Sequence, residues 1–241
     1  MRALIAGLSV GLLVALLGPP GIVAALLTGS ARPIYGLARP AIGWFFAIAG
    51  VRIEVSGHAR LDSSTPYVFC CNHVSNADPP ATFLAIGRDI RVLAKASLFR
   101  VPIFGRLLRI IGAVPVERGD RERAIASVDE AAGALRAGHD FLVFGEGTRS
   151  RDGVLLPLKK GPFVMAIKAQ APVAPMIIRG TREVWPRGSF RVRAGVIRIQ
   201  FLDPVSTAGL TFEDREDLRR RVESEMAAEL GQDAPSAGSL E

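Results

Sequence analysis

His73 and Asp78 stand five residues apart in CCNHVSNADPP, residues 70–80. Histidine exchanges a proton near neutral pH more readily than any other side chain. A carboxylate that reaches its ring fixes the tautomer and stabilises the imidazolium. The pair therefore reads as a general base, His73, with Asp78 as its orienting partner. Spacing alone leaves two other readings open, a metal site and a polar loop that happens to hold both. A metal needs further ligands, and His58 and His139 lie in no supporting pattern. A second polar set lies in FGEGTRSRDG, residues 144–153, where Glu146, Gly147, Thr148, Arg149, Ser150 and Arg151 follow an apolar run. Glycine lets backbone come close to a ligand, and arginine offers planar donors to a phosphate. Taken alone, this segment is equally a polar turn with a solvated charge run. Lys95 and Arg118 each close another apolar run and add two cations.

Groups so far apart in sequence act together only if the fold gathers strand ends at one place. Short β-rich runs at 51–55, 66–71, 90–95, 113–117, 140–145, 172–178 and 194–203 read as strands. Helical patterns fall at 78–87, with Asp78 as its N-cap, and at 101–112, 121–138, 161–170 and 212–231. The alternation predicts an α/β domain whose mixed, largely parallel sheet is flanked by helices. Ligands of such sheets bind where strands pass into loops, which is where each of these polar groups sits.

The chain has 241 residues, 49% of them hydrophobic, and a mean hydropathy of +0.29. That suits one substantial core and makes a membrane segment worth seeking. From Ala3 to Ala31 no residue is charged. A cleaved signal, a spanning helix and a broken hairpin in one leaflet all fit such a run. Pro19 and Pro20 argue against a straight helix, and Ala3 to Leu17 would reach only about 22 Å, short of a hydrocarbon core of roughly 30 Å. A second apolar stretch, AIGWFFAIAGV, follows Arg32 and Arg39, and its Trp44 suits the headgroup zone. The expectation is a retained hydrophobic helical membrane anchor over 1–50, a catalytic domain over 51–231 on the cytoplasmic face, and a flexible tail over 232–241. The adjacent Cys70 and Cys71 point to opposite faces of a strand and read as reduced apolar residues.

The net charge of +7 fits anionic lipid, phosphorylated small molecules or nucleic acid. No zinc finger, helix-turn-helix or aromatic RNA-binding pattern supports nucleic acid. A non-catalytic, membrane-anchored protein that binds anionic lipid stays open. The helix over 101–112 carries Arg106 and Arg109 on an otherwise apolar stretch and suits either core packing or the membrane interface.

NHVSNADP resembles the NHxxxxD block of the glycerolipid acyltransferases, the family that includes the 1-acylglycerol-3-phosphate acyltransferases. KASLFRVPIFGRLLRIIGAVPVER, residues 95–118, is similar to that family's second block. FGEGTRS resembles the third, and APVAP, 171–175, the fourth. Four blocks in order over about residues 50–205 are specific where one would be weak. The resemblance implies acyl transfer from acyl-CoA or acyl carrier protein to the sn-2 hydroxyl of a lysophosphatidate, forming phosphatidic acid at the bacterial inner membrane. It implies no metal and no cofactor beyond the thioester co-substrate. His73 and Asp78 would be catalytic. Lys95, Arg118 and Arg149 would hold the acceptor phosphate, and Glu146, Gly147 and Thr148 would shape its site. Glu146 could equally be structural, paired with an arginine. Backbone N–H groups of the glycine-flanked loop would stabilise the oxyanion. Another lysolipid acceptor, such as a lyso-ornithine lipid, would carry the same blocks. The third block usually has proline where this chain has Gly145, which loosens the turn before Glu146.

Overall fold

The computed structural model describes residues 11, 18–102, 104–117, 120–189 and 191–235. Among them, seven strands form one sheet in the order β1-β7-β6-β2-β5-β3-β4. They are β1 (Val51–Ser56), β2 (Val68–Cys71), β3 (Ile90–Lys95), β4 (Val114–Val116), β5 (Asp140–Phe144), β6 (Val173–Arg179) and β7 (Gly195–Phe201). β2 pairs in parallel with β5 and β6, and β3 with β4 and β5. The C-terminal ends of these five strands therefore share one edge. β7 runs antiparallel to β6, and β1 is parallel to β7. The mixed, largely parallel sheet expected from the alternation is the one observed.

The helices are α1 (residues 18–28), α2 (Arg32–Ala49), α3 (Asp78–Ile86), α4 (Phe104–Ile110), α5 (Arg121–Arg136), α6 (Gly161–Ala169), α7 (Thr181–Val184) and α8 (Arg215–Leu230). Side-chain alternation along β2 shows how the layers form. Val68 and Cys70 enter a cluster with Leu135 of α5, Phe163 of α6 and Val222 of α8. Phe69 and Cys71 enter the opposite cluster with Phe46 of α2, Ile86 of α3 and Val184 of α7. The two cysteines thus lie on opposite faces, both buried and free. Burial pushes the Cys70 thiol up to about 12 and raises that of Cys71 as well.

α2 belongs to this packing. Phe46 is 2% exposed, a burial worth roughly 2–3 kcal/mol. The Tyr35 hydroxyl donates to the Ile90 carbonyl at 2.5 Å. α1 and α2 carry exposed Val23, Leu26, Leu27 and Trp44. Among the described residues no helix is long and apolar enough to cross a membrane. Pro19 and Pro20 fall within helical residues, whereas most of the run before them, on which the expected break depends, lies outside the described residues.

Candidate active site

The register of the sheet builds the site. Cys71 of β2 lies opposite Phe144 of β5, so the two strands leave the sheet side by side. Two residues beyond each come His73 and Glu146, and the His73 N–H donates to Glu146 Oε1 at 2.6 Å. Further contacts join the two loops. The Ser150 N–H donates to the His73 carbonyl at 2.8 Å, and the Arg149 guanidinium donates to Asn76 Oδ1. Parallel strands in register therefore dock the HxxxxD loop against the EGTRS loop. Neither Glu146 nor Arg149 could be paired with a residue of the first loop from sequence, because the partner sits on another strand.

His73 Nδ1 lies 2.7 Å from Asp78 Oδ2. The same oxygen accepts the N–H groups of Val74 and Ser75, each at 2.7 Å. With two backbone donors already on that oxygen, the imidazole completes the set by donating from Nδ1, which leaves the lone pair on Nε2. Nε2 makes no hydrogen bond among the described residues. The ring stacks on Phe144, centroids 4.1 Å apart and planes inclined by 23°. Three contacts thus fix it: a carboxylate at Nδ1, an aromatic platform beneath, and a glutamate on its own backbone N–H. Asp78 is fully buried and its Oδ1 has no hydrogen-bond partner among the described residues. It is the first residue of α3 rather than the expected N-cap, which is Ala77. The two prolines that follow fit the first turn, where their missing N–H groups cost nothing, so the helix starts one residue earlier than its capping signal suggested.

Glu146 is 1% exposed. Its second oxygen accepts the Leu156 N–H at 3.1 Å. Burial pushes its carboxyl up to about 7, against the two backbone donors that lower it and with Asp78 and Asp152 adding to the rise. It pairs with no arginine among the described residues, so the structural option left open by sequence takes a different form: Glu146 ties backbone to backbone. Gly147 adopts φ +69°, a conformation in which a side chain is strained, and this allows the turn after Glu146. Gly145 is hydrogen-bonded on both sides. Its N–H donates to the Cys71 carbonyl at 3.1 Å, and its carbonyl accepts the Lys159 N–H at 2.8 Å. A Cβ there would lie 2.8 Å from Cys70 Sγ and 2.8 Å from a Leu158 methyl. The N–H groups of Gly145 and Gly147 are both engaged, the latter by the Phe144 carbonyl at 2.9 Å, so these two do not supply the anticipated oxyanion donors.

Lys95 ends β3 at the same sheet edge and is exposed, with no ion pair among the described residues. Thr148 is exposed and Arg149 half-buried beside it. Arg118 lies outside the described residues. His139 precedes β5, at the opposite edge of the sheet, and His58 packs edge-on against Phe201, so neither approaches His73 as a co-ligand. Three contributors were missed in the sequence. Asn72 pairs with β6, its amide donating to the Ile178 carbonyl at 3.0 Å while its Oδ1 accepts the Ile178 N–H at 2.8 Å. The Ser75 hydroxyl donates to the Trp185 carbonyl at 2.6 Å. Phe144 forms the platform. A polar residue closing an apolar strand was the available signal for Asn72; for Phe144 only the register supplies one.

The Acyltransferase family model matches residues 52–179. A 1-acyl-sn-glycerol-3-phosphate acyltransferase of Cocos nucifera is 33% identical over 146 residues, 60% of this chain and 47% of that protein. The human 1-acyl-sn-glycerol-3-phosphate acyltransferase alpha is 31% identical over 178 residues, 73% of this chain and 63% of that protein. The chain thus spans less than two thirds of the length of either relative. The crystal structure of the 1-acyl-sn-glycerophosphate acyltransferase from Thermotoga maritima matches with a TM-score of 0.75 at 25% identity, over 96% of this chain and 97% of that one.

Proposed function

This chain belongs to the acyltransferase family, and on that premise we propose that it transfers an acyl group from acyl-CoA or acyl carrier protein to the sn-2 hydroxyl of 1-acyl-sn-glycerol-3-phosphate, forming phosphatidic acid. The observation that carries this reading is the His73–Asp78 contact of 2.7 Å, locked in register against the Glu146–Arg149 loop. His73 Nε2 takes the proton of the acceptor hydroxyl as the oxygen attacks the thioester carbonyl. Asp78 stabilises the imidazolium that forms. When the tetrahedral intermediate collapses, the C–S bond breaks and the imidazolium returns the proton to the leaving thiolate. No acyl-enzyme is needed. Lys95, Arg118 and Arg149 are assigned to the acceptor phosphate, with Glu146, Gly147 and Thr148 shaping the space around it.

A lysolipid acceptor and its diacyl product both reside in a bilayer. We assign residues 1–50 to membrane attachment at the bacterial inner membrane, with the catalytic domain on the cytoplasmic face. The support is an apolar cavity of about 750 Å³ between α1, α2 and α4, with Trp44 on its wall and Arg106 at the side of α4. The arrangement suits anionic headgroups beside buried acyl chains.

Lipid product analysis with lysophosphatidate, and with acyl-CoA or acyl carrier protein as matched donors, tests the reading. Phosphatidic acid should form with at least one donor, and His73→Ala should lower turnover by about 10²–10⁴-fold while membrane binding persists. Acylation of a lyso-ornithine lipid but not of lysophosphatidate would overturn the acceptor. Unchanged turnover in His73→Ala would overturn the base.

A further inference from the structure

Beyond the EGTRS loop the chain runs as residues 154–160 between Gly145–Glu146 and the C-terminal residues Glu223 and Gln232, and this strap is gripped from both sides. On the inner side, the Leu156 N–H donates to Glu146 Oε2 and the Lys159 N–H to the Gly145 carbonyl, at 3.1 and 2.8 Å. On the outer side, the Leu155 N–H donates to Gln232 Oε1 and the Leu158 N–H to Glu223 Oε2, at 2.8 and 2.7 Å. Gln232 closes a second bond, its amide donating to the Gly153 carbonyl at 3.1 Å. The Leu158 side chain packs where a Cβ on Gly145 would lie.

Glu223 is a conspicuous residue for its place. It projects from α8 and is 3% exposed, with Val222 and Met226 of the same helix in the core cluster. Packing alone would be served by an aliphatic side chain, since a buried carboxylate costs free energy unless several donors meet it. Here two do. The Leu158 backbone is one, and the Arg219 guanidinium, at 2.6 Å, is the other. Arg219 is itself held by Glu216 at 2.7 and 3.1 Å. The charge is therefore built in to hold backbone, and the backbone it holds is the strap over Glu146.

We propose that Glu223 and Gln232, which lie outside the family-matched residues 52–179, are positioning residues for His73, acting through the strap at 154–160 and the Glu146 carboxylate that receives the His73 N–H. This rests on the reading of His73 as the base. Neither residue touches the reacting atoms. Each fixes the height of the strap, which fixes Glu146, which fixes the loop that carries His73.

The test uses the full chain. Glu223→Gln retains an acceptor oxygen for the Leu158 N–H and should keep turnover within about threefold of wild type. Glu223→Leu combined with Arg219→Met removes the acceptor without leaving a buried charge. There kcat should fall at least about tenfold, the scale of a sub-ångström misplacement, while the KM for lysophosphatidate stays within about twofold. The His73 ring resonances in ¹H–¹⁵N spectra should shift in the double variant and not in Glu223→Gln. A folded double variant with wild-type kcat and unmoved His73 resonances overturns the proposal. Should the double variant not fold, Gln232→Ala decides, with a shift of the His73 resonances expected and an unmoved spectrum refuting. If the wild type transfers no acyl group to any acceptor, the function reading fails, and the His73 resonances still report whether Glu223 positions the ring.

Discussion

Replacing Glu146 by glutamine sets two effects of similar size against each other. The carboxylate gives one oxygen to the His73 N–H at 2.6 Å and the other to the Leu156 N–H at 3.1 Å. An amide has one oxygen and one NH₂, so one of these buried donors must face another donor, a cost of about 1–3 kcal/mol. Against this, burial raises the carboxyl from 4.5 to about 7. At about 1.4 kcal/mol per unit, ionising it costs the native state about 3 kcal/mol once the pH exceeds 7. The sign follows from proton counts. Between pH 4.5 and 7 the folded carboxyl keeps a proton that the unfolded one has lost, so this group's contribution to stability falls as pH rises through that window and is flat above it. Urea unfolding from pH 5 to 8 should show the Glu146→Gln variant gaining on wild type by about 3 kcal/mol, ending equal to it or more stable at pH 8. Its acyl-transfer turnover, followed by release of the donor thiol, should nevertheless drop about tenfold to a hundredfold, because the orphaned donor displaces either the strap or the His73 backbone. A variant that keeps the wild-type pH slope and turns over within twofold of wild type would refute the view of Glu146 as a buried, raised carboxylate bridging two backbones.

Asp78→Asn should lose only about 10²-fold in turnover, because the Val74 and Ser75 N–H groups still demand an oxygen facing Nδ1 and only the charge on the acceptor disappears; a loss near 10⁴-fold would mean that the amide has flipped and reversed the tautomer. Gly145→Pro, the residue usual in related blocks, should lower stability by about 2–4 kcal/mol in thermal or urea unfolding, since it removes the bond to Cys71 and meets Cys70 and Leu158; adding Cys70→Ala should recover part of this, and an unaltered Tm for the single variant would contradict the packing described. Both cysteines should resist Ellman's reagent at pH 8 in the native protein and react after denaturation, and rapid native labelling would show that β2 opens far more readily than a central strand should.

The elements were largely legible in the sequence because their signals are local. The strand at 90–95 and the helix starting at 161 fall where alternation and apolar spacing place them. What escaped was fixed by pairing between distant segments. Nothing in the run at 194–203 tells that it lies antiparallel to β6 and carries β1 at its far edge. The four-residue helix α7 is too short to show a period, yet Trp185 just beyond it receives the Ser75 hydroxyl. The site follows the same division. The types and spacing of His73 and Asp78 anticipated that the two side chains meet, whereas the role of Glu146 stayed open because its ligands are backbone N–H groups on two other segments.

The pairing of the two loops explains how a site can be assembled from pieces 73 to 77 residues apart without a dedicated connection. His73 meets Glu146, the His73 carbonyl meets Ser150, and Asn76 meets Arg149, all downstream of the Cys71–Phe144 pairing. A slip of one residue between β2 and β5 would break all three contacts together, and it would also turn Cys70 and Cys71 to the wrong faces of the sheet. The two hydrophobic clusters oppose that slip, since each accepts alternate residues of β2 and not the others. The core that stabilises the domain is therefore also what sets the distance between His73 and the arginine loop. Substitutions in β2 or β5 that alter side-chain volume without changing charge should disturb turnover through that distance before they unfold the chain.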